Sequence, residues 1–505
     1  MRTKKIFLNM ICDIIPYLLI GIVGLIKVNF LIKYIGDVGN GYYQTINQII
    51  SYVFLAQIGF GEAVIYSLYK QFAENDKKDI NRIYTGSRKI FKKIAYVILA
   101  IIFIVSLLLY LLYGFEDGYR NTVLISFIII SCSYLISYFG KGQTYLAILS
   151  ASQNKYIYSL IFNGIKLLCD ISIIFVAYKF NNLESIALVI LIAKVLEEII
   201  LRIVMKKKYP WLHNVKKEDT SMFKMTKDLS LSQIGNLVLN NVDSIIIFAL
   251  LGPISVSIYT SYVFITRYLN EISTKVELSV VNSFGDVFAK KENNKVYPLF
   301  KELLILFIIL SFSICITFTL GIRGFINLWI GKESYLVEYL TVTLFSIILF
   351  LRIILLPLLS LIKAHGLFKE NKNHIFISAI TNIILSLILV KPYGLNGLLI
   401  GTLIAFIINI VLKINTVEHK ILNNIKHKKI ITNYIIIISI FILILIIIKP
   451  LEQILFITLK TIPIAIFILG LIFVSLILLI FGIFCTVSES ARNLFERGKN
   501  LLIKK

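Results

Sequence analysis

The chain has 505 residues, of which 58% are hydrophobic and only 16% charged, and its formal net charge is +24. A soluble protein of this length carries about 25% charged and about 45–50% apolar residues. The apolar residues here form runs of about 20, which as α-helices span a hydrocarbon core of about 30 Å. The composition therefore predicts an all-α polytopic membrane protein and leaves little of the chain for a soluble domain.

Apolar segments of sufficient length predict fourteen transmembrane spans. They lie at residues 9–33, 41–69, 94–113, 121–149, 157–178, 185–205, 229–251, 255–288, 299–320, 338–361, 375–391, 395–412, 431–448 and 454–483. The first segment is too long for a cleavable signal peptide and contains charged residues, so it is counted as a span.

The loops between these spans alternate in charge. About 37 of the 52 Lys and Arg residues fall in one set of longer loops, and about 7 fall in the other, shorter set. Positive residues remain on the cytoplasmic side of a membrane, so both termini are predicted to be cytoplasmic. The charge of +24 is then explained by topology, and no nucleic-acid partner is expected.

No sequence motif indicates a catalytic residue or a metal site. The nearest match to a nucleotide-binding GxxxxGK[ST] loop, GKES at residues 331–334, lies in an outward loop, which argues against an ATPase. The cysteines occur singly, and no CxxC pair predicts zinc or a disulfide framework. A membrane-embedded sugar polymerase or ligase is disfavoured because the outward loops are short. We therefore predict a transporter rather than an enzyme, with no bound cofactor.

An offset of 216 residues relates the two halves of the chain. In both halves a span ends at a glycine, a short turn follows, and the next span begins with a tyrosine and a small hydroxyl residue. The matching pairs are Gly36 and Gly252, Tyr43 and Tyr259, Thr45 and Ser261, Ile49 and Ile265, and Tyr52 and Tyr268. Two six-span halves of the same orientation predict a two-fold axis along the membrane normal.

This repeat defines the predicted domain organisation. The domains are an N-terminal six-helix lobe at 1–205, a cytoplasmic linker at 206–228, a second six-helix lobe at 229–412, an additional helix pair at 413–483 and a cytoplasmic tail at 484–505. The tail is amphipathic and basic, and we expect it to lie on the anionic inner leaflet.

The stretch YIGDVGNGYYQTINQIISYVFLAQIGFGEAVIYSLYK, residues 34–70, carries a family resemblance. It resembles the second-helix region of the polysaccharide-type (O-antigen or lipid-linked oligosaccharide) flippases in the multidrug/oligosaccharidyl-lipid/polysaccharide exporter superfamily. The residues at the family's glycine, aromatic and small positions are Gly36, Gly41, Tyr42, Gly59, Gly61 and Ala63. The arrangement of twice six spans plus two covers essentially the whole chain.

The resemblance implies a flippase of the bacterial cytoplasmic membrane. Such a protein moves an undecaprenyl-diphosphate-linked oligosaccharide from the cytoplasmic to the outer leaflet for surface polysaccharide assembly, by alternating access. The implied partners are this lipid-linked glycan, membrane lipids and other polysaccharide-assembly proteins, and the coupling ion, H⁺ or Na⁺, is left open. The alternatives within the superfamily are a flippase for the peptidoglycan precursor lipid II and a cation-coupled exporter of drugs or other small molecules.

Ionisable residues inside the spans provide separate chemical evidence. Each costs about 2.5–3.5 kcal/mol at the bilayer centre, unless it faces water or the interior of a helix bundle. The cations expected to bind the diphosphate of the substrate are Lys27, Lys166, Arg267, Lys275 and Arg352. The residues expected to line the same cavity or to pair with these cations are Asp13, Gln44, Asn47, Asn240, Asp243 and Glu271.

Two interpretations of these charges remain open from the sequence. In the first, a net cationic cavity attracts the diphosphate, because Arg binds phosphate through two parallel hydrogen bonds and Lys acts as a mobile point charge. In the second, internal ion pairs fix how the helices pack. Glu271 is spaced to bridge Arg267 and Lys275 on one helix face. Asp170 is spaced in the same way to pair with Lys166. The cations for which the cavity is favoured lie deepest in their spans: Lys27, Arg267 and Arg352.

Overall fold

The computed structural model describes residues 2–54, 59–112, 118–220, 226–289, 293–422, 427–487 and residue 492. The helices in these ranges are α1 (Arg2–Tyr34), α2 (Gly36–Val53), α3 (Phe60–Ala73), α4 (Lys77–Leu112), α5 (Tyr119–Phe139), α6 (Gly142–Ala151), α7 (Lys155–Phe180), α8 (Leu183–Lys208), α9 (Thr226–Ala289), α10 (Asn293–Ile330), α11 (Tyr339–Ile354), α12 (Leu356–Ala364), α13 (Phe368–Lys420), α14 (His427–Ile447), α15 (Lys449–Thr458) and α16 (Ile462–Val487). Outside these helices, one 3-10 turn covers Glu333–Tyr335.

Every predicted span contains helical structure within the described residues. Within the described residues, nine helices are long and apolar enough to cross a membrane. Two helices, α9 and α13, each consist of two helical arms that meet at a kink, at Gly252 and Gly394 respectively. The structure thus confirms the predicted all-α polytopic membrane fold.

The predicted start of the last span, at residue 454, is wrong. Helix α15 occupies the loop predicted before this span and ends at Thr458, where Leu459 adopts an extended backbone. Helix α16 begins only at Ile462, directly before Pro463. Proline fits the first turn of a helix because the N–H it lacks has no partner there in any case.

Three predicted spans are interrupted rather than continuous. The span at 41–69 is α2 followed by α3, the span at 121–149 is α5 followed by α6, and the span at 338–361 is α11 followed by α12. Interrupted spans at corresponding positions of two halves are typical of transporters built from repeats. The interruption between α5 and α6 and the interruption between α11 and α12 correspond, because each falls in the fourth predicted span of its half.

The interruption between α5 and α6 is stabilised by Glu198 of α8. This carboxylate is 5% exposed and accepts hydrogen bonds from the backbone N–H groups of Lys141 (2.8 Å) and Gly142 (3.0 Å). The Nε of Arg202 donates to the same carboxylate at 2.8 Å. Negative charge at a helix N-terminus satisfies N–H groups that have no partner within the helix. Glu198 therefore has a structural role.

Two glycines explain the unusual start of the stretch at 34–70. Gly36 has a φ of +82°, which lets α1 turn directly into α2, and Gly252 at the matching position of α9 has the same φ. Gly41 packs against the backbone of Pro253, and a Cβ at Gly41 would lie 1.9 Å from the Pro253 carbonyl oxygen. Both situations favour glycine. These two glycines thus give this region a tight turn and a close contact between backbones.

The chain divides into two compact units. The first comprises Met1–Leu237 and Ile247–Ser257, and the second comprises Val238–Ile246 and Ile258–Lys505. In the first unit, α7 packs against α1 and α8, and α5 packs against α4 and α8. In the second unit, α10 packs against α11, α15 and α16, and α11 packs against α13. The predicted tail lies outside the described residues beyond Val487, apart from Arg492.

The additional helices of the second unit are fixed to α10 and α11 by one aromatic and one ionic contact. Phe441 of α14 stacks on Phe350 of α11, with ring centroids 3.9 Å apart and planes inclined by 4°. Glu452 of α15 is 1% exposed and pairs with Arg323 of α10 at 3.3 Å. Burial raises the pKa of the Glu452 carboxyl, and the Arg323 guanidinium opposes this rise.

The segment at 209–219, which follows α8, lies along the first turns of α4. The backbone N–H of Val215 donates to the hydroxyl of Thr85 at 3.0 Å. Gly86 is the point of closest approach, because a Cβ there would lie 1.8 Å from the carbonyl oxygen of Asp219. The segment at 209–219 therefore forms a strap that packs on the first unit.

Candidate functional site

The second unit contains a cavity of about 470 Å³ between α9, α11 and α13. Its volume lies in the range of about 300–1,000 Å³ that is typical of ligand pockets. The charged and polar residues of its wall are Asp243, Tyr259, Arg267, Asn270, Glu271, Arg352 and Thr402. Apolar side chains, such as Phe345 and Leu349, complete the wall.

Arg267 and Glu271 project from the same face of α9 into this cavity. Within the described part of the chain, neither side chain makes a hydrogen bond or an ion pair. The neighbouring Asn270 Oδ1 is buried and also lacks a partner there. The predicted bridge from Glu271 to Arg267 and Lys275 is thus not formed. The spacing permits it, but Arg267 and Glu271 line the cavity separately, and Lys275 is not part of the cavity wall.

Arg352 enters the same cavity from α11. Its guanidinium lies over the ring of Phe406, 4.8 Å from the ring centroid, and its Nε is buried without a partner among the described residues. A cation–π contact of this kind compensates a buried charge in part, by about 0.5–2 kcal/mol. The cavity therefore holds two guanidinium groups that have no salt bridge within the described residues.

Asp243 forms an oxygen-rich cluster at the edge of the cavity. It is 4% exposed, and its Oδ2 accepts hydrogen bonds from the hydroxyls of Tyr259 (2.8 Å) and Thr402 (3.3 Å). The Asn382 side chain lies beside this carboxyl and donates to the Thr402 hydroxyl at 2.9 Å. The Oδ1 atoms of Asp243 and Asn382 are both buried and have no partner within the described residues. Two unpartnered oxygens in one buried cluster can hold a proton or a small cation.

The first unit contains a smaller cavity of about 130 Å³, lined by the polar residues Tyr43, Asn47, Lys166, Lys194 and Glu197. Beside it, Asp170 is 1% exposed and its Oδ1 accepts from two lysines, from Lys27 at 2.7 Å and from Lys166 at 2.8 Å. The ion pair expected between Lys166 and Asp170 is present. Lys27 joins it, so both cations have a carboxylate partner, unlike Arg267.

Lys194 also belongs to this site, although it is not among the cations that the sequence analysis expects to bind the diphosphate. Its ammonium is 2.7 Å from Glu197 and lies 5.1 Å from the ring centroids of both Tyr134 and Phe162. The signal that could have identified it is the spacing of Lys194 and Glu197, which places them on one helix face. The cluster has three lysines and two carboxylates and is therefore net cationic.

The other predicted site residues are placed as follows. Asn47 lines the smaller cavity and donates to the carbonyl of Tyr43 at 2.8 Å. Gln44 donates instead to Asn40 at 3.4 Å and is not part of that wall. The side chains of Asp13 and Asn240 lie outside the described residues.

The offset of 216 residues relates the two sites position by position. Tyr43 and Tyr259, which the offset pairs, each line the cavity of their own unit. The same offset pairs Lys27 with Asp243, Lys166 with Asn382, and Asp170 with Ser386. Equivalent helix positions thus carry a lysine–aspartate cluster in the first unit and a cluster of oxygen-bearing side chains in the second.

Comparison with known proteins identifies the fold. No protein-family model matches the sequence. No curated protein matches it either. Among solved structures, the chain is similar to the lipid II flippase MurJ in its inward closed conformation, with a TM-score of 0.67 and 17% identity over 94% of this chain and 98% of that chain.

It is also similar to multidrug transporters. An inward-facing MATE family transporter of the MOP superfamily matches with a TM-score of 0.64 and 14% identity, over 83% of this chain and 98% of that one. A mutant form of the Vibrio cholerae MATE transporter VcmN matches with a TM-score of 0.53 and 14% identity, over 83% and 98% of the two chains. The chain thus has the fold shared by MATE transporters and MurJ.

Proposed function

We propose that this protein is an alternating-access flippase that moves an undecaprenyl-diphosphate-linked oligosaccharide from the cytoplasmic to the outer leaflet of a bacterial membrane. The observation that carries this proposal is Arg267, a guanidinium in a membrane-embedded cavity with no ionic partner among the described residues. The fold shared with MurJ and with MATE transporters is compatible with it.

A guanidinium that lines a cavity and has no ionic partner among the described residues is available to an anionic ligand. Arg267 is exposed within the cavity, so water solvates its charge until an anionic ligand binds. A diphosphate compensates it well, because guanidinium forms two parallel hydrogen bonds to phosphate oxygens. Arg352 adds a second guanidinium to the same wall, so that one diphosphate can contact both. Asn270 and Glu271 supply an amide and an acceptor for hydroxyl groups of the sugar.

The lysine cluster of the first unit supports the same substrate class, in a different role. Lys27 and Lys166 are already neutralised in part by Asp170. We infer that these two lysines stabilise the first unit and contribute to its net positive potential. The direct contact with the diphosphate is assigned to Arg267 and Arg352. This proposal gives Lys275 no direct contact with the substrate.

Two alternatives from the same superfamily use this fold. A lipid II flippase would present the same diphosphate to Arg267, and only its sugar and peptide would differ. An exporter of cationic drugs would use Asp243 and Glu271, the two carboxylates of the same wall, but it would leave Arg267 and Arg352 without an anionic ligand. We therefore favour a diphosphate-linked lipid over a cationic drug.

The oxygen cluster at Asp243 supports a coupling cation, for which both H⁺ and Na⁺ are candidates. A buried carboxylate with an unpartnered oxygen is costly, and a bound proton or Na⁺ removes that cost. Because Asp243 and Arg267 lie in one cavity wall, an ion bound at Asp243 changes the electrostatic potential at the diphosphate. Ion binding and substrate binding are thereby coupled electrostatically.

Deletion of the protein from its own host distinguishes these functions. We expect undecaprenyl-diphosphate-linked oligosaccharide to accumulate in the cytoplasmic leaflet and surface polysaccharide to be lost, with unchanged drug sensitivity. Normal surface polysaccharide together with increased sensitivity to cationic drugs would overturn the proposal in favour of an exporter. Loss of viability with accumulation of lipid II would replace it by the peptidoglycan alternative.

A further inference from the structure

A third cavity lies in the first unit, where the loop between α3 and α4, the loop between α6 and α7 and the start of the strap at 209–219 meet. Its volume is about 450 Å³. Aromatic, amide and cationic residues of its wall are Tyr69, Phe72, Tyr209, Trp211, Asn75, Gln153, Asn154 and Lys77. Among the described residues that line it, none is acidic. The loop between α3 and α4 and the strap belong to the basic loops that the sequence places on the cytoplasmic side, and the alternation of the predicted spans places the loop between α6 and α7 on the same side.

The aromatic wall is a fixed structure. The ring of Tyr209 makes edge contacts with Phe72 and Trp211, with centroid distances of 6.5 and 5.9 Å. The Tyr209 hydroxyl is 2.7 Å from the Ser152 hydroxyl and accepts from the Asn154 amide at 3.0 Å. Tyr209 and Asn154 are at most 9% exposed. The orientation of these groups is therefore set before any ligand binds.

Trp211 and Lys77 form another part of the cavity wall. The carbonyl of Trp211 accepts a hydrogen bond from the Asn81 amide at 3.2 Å, which ties this part of the strap to α4. The Lys77 ammonium lies over the Trp211 ring, 5.6 Å from its centroid. The one cation of the described wall is thus already engaged by an aromatic ring.

Two loop residues of the wall adopt a left-handed backbone conformation. Asn75 has a φ of +54° and Gln153 a φ of +59°, and both line the cavity. Left-handed backbone is uncommon for residues other than glycine, and here it ends helices α3 and α6. Each of these residues contributes an amide that can both donate and accept hydrogen bonds.

We propose that this cavity binds the sugar part of the lipid-linked substrate before the diphosphate enters the membrane-embedded cavity. The proposal rests on the flippase function argued above. A sugar ring presents an apolar C–H face, which an aromatic ring covers, and hydroxyl groups, which amides satisfy as donors and acceptors. A hydrophilic oligosaccharide cannot enter hydrocarbon without losing these hydrogen bonds, so it projects into water from the leaflet on which it was made.

The composition of the wall favours a sugar over a nucleotide. A nucleotide needs cations or free backbone N–H groups for its phosphates. The only cation among the described wall residues is Lys77, and the side chain of Asp76 already accepts from the N–H groups of Lys78 and Asp79 at the start of α4. An uncharged ligand with many hydroxyls matches four aromatic rings and the exposed amides of Asn75 and Gln153 better.

Fluorescence of Trp211 tests the proposal directly. The chain has two tryptophans, so Trp329→Phe leaves Trp211 as the only one. The purified full-length W329F protein is titrated with the oligosaccharide that mild acid releases from the host's own lipid-linked intermediates. We expect a saturable change in Trp211 emission, which a nucleoside diphosphate does not reproduce.

A matched pair of variants on α3 locates the effect. Tyr69 lines the cavity and is 52% exposed, whereas Tyr66 on the same helix is 63% exposed and does not line it. Both tyrosines can therefore be replaced with little effect on packing. Tyr69→Ala should weaken sugar binding about tenfold, which corresponds to about 1.4 kcal/mol, and Tyr66→Ala should leave it unchanged.

The outcomes separate this site from the flippase function. If the oligosaccharide causes no saturable change in Trp211 emission but the protein still flips the lipid-linked substrate, the sugar site is overturned and the flippase function is not. A saturable change with a nucleoside diphosphate instead of the sugar also overturns it. Sugar binding with the expected loss in Y69A, in a protein that does not flip the lipid, supports the site and rejects the proposed transport step.

Discussion

Lys27 of α1 and Asp170 of α7 form an ion pair at 2.7 Å, and Lys166 donates to the same Asp170 oxygen at 2.8 Å. Because one aspartate pairs with two lysines, removing Lys27 and removing Asp170 should have different effects on stability. Removal of Lys27 leaves Asp170 with one cation, whereas removal of Asp170 leaves two lysines without an anion. Lys27 is 12% exposed and Lys166 40% exposed, so the stranded charge of Lys27 is the more costly one.

The first prediction follows from this asymmetry. Asp170→Ala should destabilise the protein by about 3–5 kcal/mol, as is typical when one partner of a buried pair is removed. Lys27→Ala should cost clearly less, because Lys166 still pairs with Asp170. Thermal unfolding of the purified proteins in detergent measures both. Equal destabilisation by the two substitutions would contradict this assignment.

The second prediction concerns the glycines of the stretch at 34–70. Gly41→Ala should lower the stability and the membrane abundance of the protein, because the new Cβ would lie 1.9 Å from the backbone oxygen of Pro253. Gly61→Ala is the matched control, since no atom lies within 4 Å of a Cβ at Gly61. Quantitative immunoblotting of membranes compares them, and a stable G41A protein would show that the backbones can separate at no cost.

The third prediction concerns Glu198 and the interrupted helix. Glu198→Ala removes the acceptor of the Lys141 and Gly142 N–H groups and should cost about 1–3 kcal/mol, the penalty for unsatisfied buried groups. Glu198→Gln retains one carbonyl acceptor and should cost less. The difference between the two melting temperatures checks this, and an E198A protein as stable as the wild type would contradict the structural role.

The fourth prediction concerns the coupling cation. If Na⁺ binds at Asp243, then Na⁺ should raise the melting temperature of the wild-type protein relative to K⁺, and Asp243→Asn should abolish that shift. Asp79→Asn, which changes a half-exposed carboxylate on α4, is the control and should retain it. If neither ion shifts the wild-type protein but low pH does, and D243N removes that shift, the coupling ion is H⁺. A shift that persists in D243N would exclude Asp243.

The sequence was sufficient to predict much of the fold, since long apolar runs and the distribution of cations depend on local composition alone. It did not predict the interruption between α5 and α6, because the stabilising Glu198 comes from α8, which is far away in the sequence. The start of the last span was misplaced because α15 is itself apolar enough to resemble the beginning of a membrane span.

The candidate site, too, could be predicted from the sequence only in part. Periodicity correctly placed Arg267 and Glu271 on one helix face, but it could not show that they line a cavity without pairing. The ion pair between Lys166 and Asp170 was predictable because the two residues are one turn apart. The pairing of Lys27 with Asp170 connects α1 to α7, and spacing along one helix carries no information about such a contact.

The final prediction tests the central claim, that Arg267 binds the diphosphate of the substrate. The variants are Arg267→Ala, Arg267→Lys and the double variant Arg267→Ala with Glu271→Ala, and Arg120→Ala, an exposed arginine that donates to the carbonyl of Tyr110, is the control. The loss of a hydrogen bond to a charged group costs about 1.5–3 kcal/mol. Arg267→Ala should therefore slow flipping about tenfold or more, and Arg267→Lys should recover only part of the rate.

The measurement is the rate at which each purified variant, reconstituted in vesicles, moves undecaprenyl-diphosphate-linked oligosaccharide to the opposite leaflet. Our account predicts that R267A is slow although it is folded and abundant, that the double variant is no faster, and that R120A equals the wild type. Recovery of the wild-type rate in the double variant would show that Arg267 serves only to neutralise Glu271, and would contradict diphosphate binding at Arg267.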